Sequence, residues 1–181
     1  VARVVMPPSK NLWETINTDP QLTYLKAAIQ RADSGVVAAS TLQAALQNIG
    51  LNATVFAPTD DAFKTFLTTA VAQYLISQGF PAATAQAQAA GLINAVGTTI
   101  LTNPGVIPGF GPVLRTIISP LNARGIVAYH LLSAQSGTFT PPGIRVFSVN
   151  LPTDATNVKT LFNAFSPQHP GVSVSATFTG P

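Results

Sequence analysis

A strand, a proline and a helix cap follow one another within a few residues, and this junction constrains the fold more than any other feature. Val55 and Phe56 are β-forming residues, so residues 52–57 are predicted to be a strand. Pro58 cannot donate a ladder hydrogen bond and ends that strand, and Thr59 is placed to cap a helix. The chain must therefore pass from a sheet directly into a helix.

The predicted helix after this junction begins with two neighbouring carboxylates. Asp60 and Asp61 lie in its first turn, where the helix dipole favours negative charge. Phe63, Phe66 and Leu67 are predicted to form its buried face. Neighbouring residues on a helix point in different directions, so the two aspartates are poorly placed to act as an acid–base pair or to chelate a metal.

Helical patterns also lie on both sides of this junction. Residues 11–33 are predicted to be mostly helical, because their apolar residues recur at helical spacing. A short helix is predicted to begin at Ser40 or Thr41 and to end at Gly50 with a positive φ angle. Further helices are predicted over 82–97 and 113–121.

Residues 103–112 alternate glycine and proline with apolar residues, a pattern that predicts a loop. Loops are normally polar, so Val106, Ile107 and Phe110 stand out. Two interpretations are open for these side chains. They pack down onto the domain, which is the interpretation we favour, or they form a contact patch for a partner.

The last third of the chain carries strand patterns. An apolar segment over 125–132 is predicted to be buried, and β-forming residues follow it within 138–149. Residues 157–162 are predicted to form another strand, and residues 172–178 alternate apolar with polar as a half-buried strand does. Helices first and strands late predict one α+β domain over 1–181, with helices packed on a largely antiparallel or mixed sheet.

Charge and cysteine content exclude several classes of protein. Charged residues make up 8% of the chain, and 9 Lys+Arg against 6 Asp+Glu give a net charge of +3. The basic residues are scattered, so no nucleic-acid-binding surface is expected. The chain has no cysteine, and its apolar runs are too short to span a membrane. We expect no metal site and no cofactor.

The histidines are the remaining candidates for catalysis. His130 follows Tyr129 in an apolar run, so we expect a buried structural residue whose ring nitrogens need hydrogen-bond partners; a catalytic or ligand role is the alternative. His169 is predicted to be solvated in a loop. No nucleophile elbow, phosphate-binding loop or zinc-protease motif is present. This shortage of catalytic groups argues against an enzyme.

Two segments resemble the signatures of the fasciclin (FAS1) domain family. Residues 54–63, Thr-Val-Phe-Ala-Pro-Thr-Asp-Asp-Ala-Phe, resemble the first signature, and Tyr129-His130 with the leucines that follow resembles the second. Residues 11–50 resemble the usual lead-in, and residues 157–161 resemble the strand after the Tyr-His pair. The resemblance assigns scaffold roles, not catalytic ones, to Thr54, Val55, Phe56, Ala57, Pro58, Thr59, Asp60, Phe63, Tyr129 and His130.

The resemblance implies a β-wedge of two sheets with several helices packed along one side. Compared with the family, residues 68–124 are expected to be an enlarged helical insertion. The family normally closes with strands around an Asn-Gly-Val-Ile-His-like segment, which has no match here, so we expect those closing strands to be missing.

The resemblance also implies a function. Fasciclin domains are extracellular or surface-attached, so we expect a non-enzymatic adhesion or binding module that recognises a protein or polysaccharide of the matrix or cell surface. Any anchor would lie outside this chain, and a bacterial protein would be periplasmic or attached to the outer membrane. One alternative is a carrier of a small apolar ligand or lipid, with residues 106–110 as the roof of its pocket. Another is a hydrolase that uses His130 with Asp60 or a serine.

Overall fold

The computed structural model describes residues 10–51, 53–132 and 152–175. Within these ranges the chain forms α-helices, short antiparallel strands and single 3₁₀ turns. The helices are α1 (Leu12–Thr18), α2 (Thr23–Ala32), α3 (Leu42–Gln47), α4 (Asp60–Ser77), α5 (Ala82–Val96), α6 (Thr99–Thr102), α7 (Gly111–Ile117) and α8 (Pro120–Tyr129). The strands are β1 (Thr54–Val55), β2 (Leu131–Leu132), β3 (Thr156–Val158) and β4 (Val172–Val174). The 3₁₀ turns are Ala38–Ser40, Pro104–Val106 and Leu161–Ala164.

The strands form two small antiparallel sheets. In the first, β1 pairs with β2, with Val55 opposite Leu131. In the second, β3 pairs with β4, with Asn157 opposite Ser173. A mixed fold of helices and antiparallel strands is therefore confirmed. The first sheet also joins two segments that lie far apart in the sequence, because it places the 54–63 segment beside Tyr129-His130.

Two predicted helix caps are confirmed, and one predicted helix end is wrong. The hydroxyl of Thr41 accepts a hydrogen bond from the Ala44 N–H at 3.1 Å, at the start of α3. The hydroxyl of Thr59 accepts one from the Ala62 N–H at 3.4 Å, at the start of α4. Gly50 does not have a positive φ, because α3 ends earlier, where Asn48 is extended.

Residues 68–124 are mostly helical. Helices α4 and α5 form a hairpin whose turn contains Gly79, with φ of +92°. The Phe80 N–H donates to the Leu75 carbonyl at 3.2 Å, so one of the last carbonyls of α4 has a hydrogen-bond partner within the turn. The predicted helix over 113–121 is two helices, because Pro120 starts α8 with Ser119 as its N-cap.

The core is built around α2, which packs on α4 and α8. Leu25 and Ile29 are completely enclosed in it. The predicted buried face of α4 is right for Phe63 and Leu67 but wrong for Phe66, which is 48% exposed. None of the described residues packs over the Phe66 ring closely enough to bury it.

The late strands are shorter than predicted. The strand expected over 157–162 ends at Val158 and continues as a 3₁₀ turn, and β4 occupies the first part of the 172–178 segment. The strands expected within 138–149, and residues after 175, lie outside the described residues. No helix in the described ranges is both long enough and apolar enough to cross a bilayer.

Candidate functional site

A half-open groove of about 910 Å³ lies between the start of α4, the corner between α7 and α8, and residues 161–169. Its walls are predominantly apolar. We call it the aromatic groove, after the aromatic side chains among the residues that line it: Phe63, Phe66, Tyr129, His130, Phe162, Phe165 and His169. Concave apolar surfaces of this size are typical of sites that bind small ligands.

Both family-like segments contribute to this groove. Pro58 and Phe63 line it from the first segment, and Tyr129 and His130 line it from the second. The Phe56 N–H donates to the His130 carbonyl at 2.9 Å, which continues the pairing of β1 with β2. The groove therefore forms where the two segments meet, a juxtaposition that no local sequence pattern predicts.

The other residues of the first segment lie away from the groove. Thr54 and Val55 form β1, and Ala57 is exposed before the helix. Thr59 caps α4, as described above. These positions hold the strand and the helix in place without lining the groove.

Tyr129 is the centre of an edge-to-face aromatic cluster. Its ring centroid lies 5.3 Å from that of His130, 6.4 Å from that of Phe162 and 5.4 Å from that of His169. Phe162 and His169 are themselves 5.4 Å apart and nearly perpendicular. Such geometry is favourable for aromatic pairs, so this wall of the groove is held by mutual ring contacts.

Hydrogen bonds fix the segment that carries His169. The Tyr129 hydroxyl donates to the Gly171 carbonyl at 3.3 Å, and the Gly171 N–H donates to His169 Nδ1 at 3.1 Å. Asn163 Nδ2 donates to the His169 carbonyl at 2.6 Å. His169 is therefore half-buried in the cluster. The prediction of a solvated loop residue is wrong, because the β3–β4 hairpin folds this turn onto α8.

His130 is half-buried and lines the groove. Burial lowers the pKa of its imidazole, and a hydrogen bond with the Phe56 backbone acts in the opposite direction. A hydrolytic role would need a carboxylate or hydroxyl within hydrogen-bonding distance of the ring. Among the described residues, no hydrogen bond joins the imidazole to either kind of group.

Asp60 is engaged elsewhere. Its carboxylate accepts hydrogen bonds from the Thr23 hydroxyl at 2.6 Å and from the Tyr24 N–H at 2.9 Å. It thus caps the start of α2 from the first turn of α4, and Tyr24 packs on Phe63 with ring centroids 6.3 Å apart. Asp61 is almost fully exposed and lies 3.9 Å from Lys64. The two neighbouring carboxylates therefore differ in role: Asp60 accepts hydrogen bonds from α2, whereas Asp61 lies at the surface beside Lys64.

The apolar loop is not part of the groove. Ile107 is 3% exposed and belongs to the core, Phe110 packs against that core, and Val106 is exposed. Ile107 therefore offers no surface to a partner, in agreement with the favoured interpretation of this loop. Val106, Ile107 and Phe110 do not line the aromatic groove, so this groove is distinct from the pocket that the sequence predicts beneath residues 106–110.

Comparisons with protein-family models, curated proteins and solved structures found no match for this chain. The fasciclin resemblance accordingly stands on the sequence segments described above. Within the described residues, no group of three or more His, Asp or Glu side chains is arranged to hold a metal ion.

Proposed function

We propose that this protein is a non-enzymatic binding module whose recognition site is the aromatic groove, and that it binds ligands with an apolar body. The observation that supports this most strongly is the groove itself, which is concave, predominantly apolar and has a volume of about 910 Å³. Its location is defined by both family-like segments. The proposal keeps the carrier alternative raised by the sequence but moves its site from the 106–110 loop to this groove.

Exposed side chains around the groove supply the driving force for binding. Phe66 is 48% exposed, Phe165 is 68% exposed and Leu121 is 78% exposed, and all three line the groove. A cluster of large apolar side chains left in water is typical of a binding surface. Covering them with a ligand gains about 25 cal/mol for each Å² of apolar surface removed from water.

The surroundings of the polar residues support a binding role rather than catalysis. Both oxygens of Asp60 are occupied at the start of α2, and the His130 ring is paired with backbone. The resemblance to fasciclin domains supports an extracellular or cell-surface location and the β-wedge architecture. We therefore place the module outside the cell or attached to its surface.

Adhesion to a macromolecule is the second candidate function. The rim residues Phe66, Leu121 and Phe165 could receive an apolar side chain of a protein, or their flat rings could pack on a polysaccharide. This candidate differs from the first in the size of the ligand, not in the site. If it holds, a small apolar compound that fills the groove will compete with the macromolecular partner.

Replacing Leu121 with asparagine should weaken binding of a neutral apolar probe, N-phenyl-1-naphthylamine, by about tenfold, because roughly 1.4 kcal/mol of apolar contact would be lost. The fluorescence of the bound probe gives the Kd directly. Leu121 is highly exposed, so the folded protein should tolerate the change.

The matched control is Ile49→Asn. Ile49 is 77% exposed, close to the exposure of Leu121, but it does not line the groove. The control should bind the probe like the wild type. Equal weakening in both variants, or no binding by the wild type, would contradict the proposed site.

A further inference from the structure

The polar groups that line the aromatic groove indicate which charge its ligand has. Arg124 lines the groove and is half-buried. Within the described residues its guanidinium forms no hydrogen bond or ion pair, and the one ion pair there joins Lys64 to Asp61. No aspartate or glutamate in the described ranges lines the groove. Among the described residues, the groove thus presents one cationic side chain and no carboxylate to oppose it.

The remaining polar side chains of the groove include donors that could form hydrogen bonds with a negatively charged group. His169 Nδ1 accepts a hydrogen bond from the Gly171 N–H, so the proton of its neutral ring lies on Nε2. The side-chain N–H groups of Asn122 are used by the carbonyls of Thr116 and Ile117, at 3.1 and 3.0 Å. The Tyr129 hydroxyl donates to the Gly171 carbonyl, and the His130 ring has a hydrogen bond with the Phe56 backbone. Among the described residues that line the groove, the donors left are therefore Arg124 and the His169 ring.

We propose that the aromatic groove binds an amphipathic anion, namely a long-chain monocarboxylate whose apolar chain lies on the aromatic wall and whose carboxylate pairs with Arg124. This inference rests on the proposed function and specifies the ligand class for the same site. A guanidinium presents parallel N–H donors that match the two oxygens of a carboxylate, and such charge-assisted bonds are stronger than neutral ones. A partly desolvated position strengthens the pairing further.

The test is a calorimetric comparison of dodecanoate, dodecanol and dodecylamine, each below the concentration at which it aggregates. The three share one chain and differ only in the head group. Dodecanoate should bind about tenfold more tightly than dodecanol, which corresponds to about 1.4 kcal/mol. Dodecylamine should bind more weakly than dodecanol, because its ammonium would face Arg124.

Arg124→Gln should remove the preference for dodecanoate and leave the affinity for dodecanol unchanged. The control is Arg115→Gln, since Arg115 is an exposed arginine of the neighbouring helix α7 and does not line the groove. That variant should keep the preference for dodecanoate. Circular dichroism of both variants will show that the fold is retained.

Equal binding of dodecanoate and dodecanol by the wild type would overturn the inference about charge while leaving the proposed apolar groove intact. A preference for dodecanoate that persists in Arg124→Gln, or is lost in Arg115→Gln, would also overturn it. If none of the three compounds binds, the proposed function itself fails.

Discussion

Replacing Gly171 with alanine should lower the free energy of unfolding by about 3 kcal/mol, because two separate costs add at this position. Gly171 has φ of +92°, a backbone conformation that residues with a Cβ rarely adopt. A Cβ atom there would also overlap the Val158 carbonyl of the adjacent strand, and backbone cannot move aside cheaply. Urea denaturation monitored by circular dichroism measures the loss.

Gly35→Ala separates the two costs. Gly35 has φ of +80°, but an added Cβ would have no neighbour within 4 Å. This control should therefore lose only the conformational part, about 1 kcal/mol. If both variants lose the same amount, the close approach of Gly171 to Val158 is not a constraint of the native fold.

The variant Asp60→Ala should lower the free energy of unfolding by about 2 kcal/mol. The substitution removes the acceptor for the Thr23 hydroxyl and for the Tyr24 N–H, which lie at 2.6 and 2.9 Å from its oxygens. It therefore uncaps α2 at its start and loosens the contact between α2 and α4. The midpoint of urea unfolding should fall without a change in slope.

Asp61→Ala is the matched control, because it removes the neighbouring carboxylate from the same helical turn. Asp61 is exposed, and its only ion pair within the described residues is the 3.9 Å contact with Lys64. Its loss should change the free energy of unfolding by no more than about 0.5 kcal/mol. Equal effects at the two positions would show that the cap from Asp60 to α2 does not stabilise the protein.

Local chemistry explains which elements the sequence predicts correctly. Thr41 and Thr59 cap their helices through their own hydroxyls, and Pro58 separates β1 from α4, so each signal acts within a few residues. Helix α5 also lies close to its predicted bounds of 82–97, because alanine, a strong helix former, makes up much of its sequence.

Contacts between distant segments explain the predictions that failed. Whether Phe66 is buried depends on what covers α4, and the position of His169 depends on how the β3–β4 hairpin folds back onto Tyr129. The cap that Asp60 provides joins it to Tyr24, across a long stretch of chain. The aromatic groove depends on all of these placements together, so no single motif predicts it.

The proposed function requires that the two family-like segments meet to form a groove that binds an apolar ligand. Gly125 lines this groove from within α8, so a larger side chain there tests the requirement. A Cβ added there would lie 3.5 Å from the Phe162 ring, an ordinary van der Waals distance. Leucine at this position should therefore occupy part of the groove, and it should favour the helix by up to about 1 kcal/mol relative to glycine.

The decisive measurement is the affinity of Gly125→Leu for N-phenyl-1-naphthylamine, with the melting temperature recorded on the same sample. We expect a melting temperature equal to or above that of the wild type, together with probe binding at least about tenfold weaker. A variant that is equally stable and binds the probe as tightly as the wild type would contradict this requirement, because the ligand would then have to bind elsewhere.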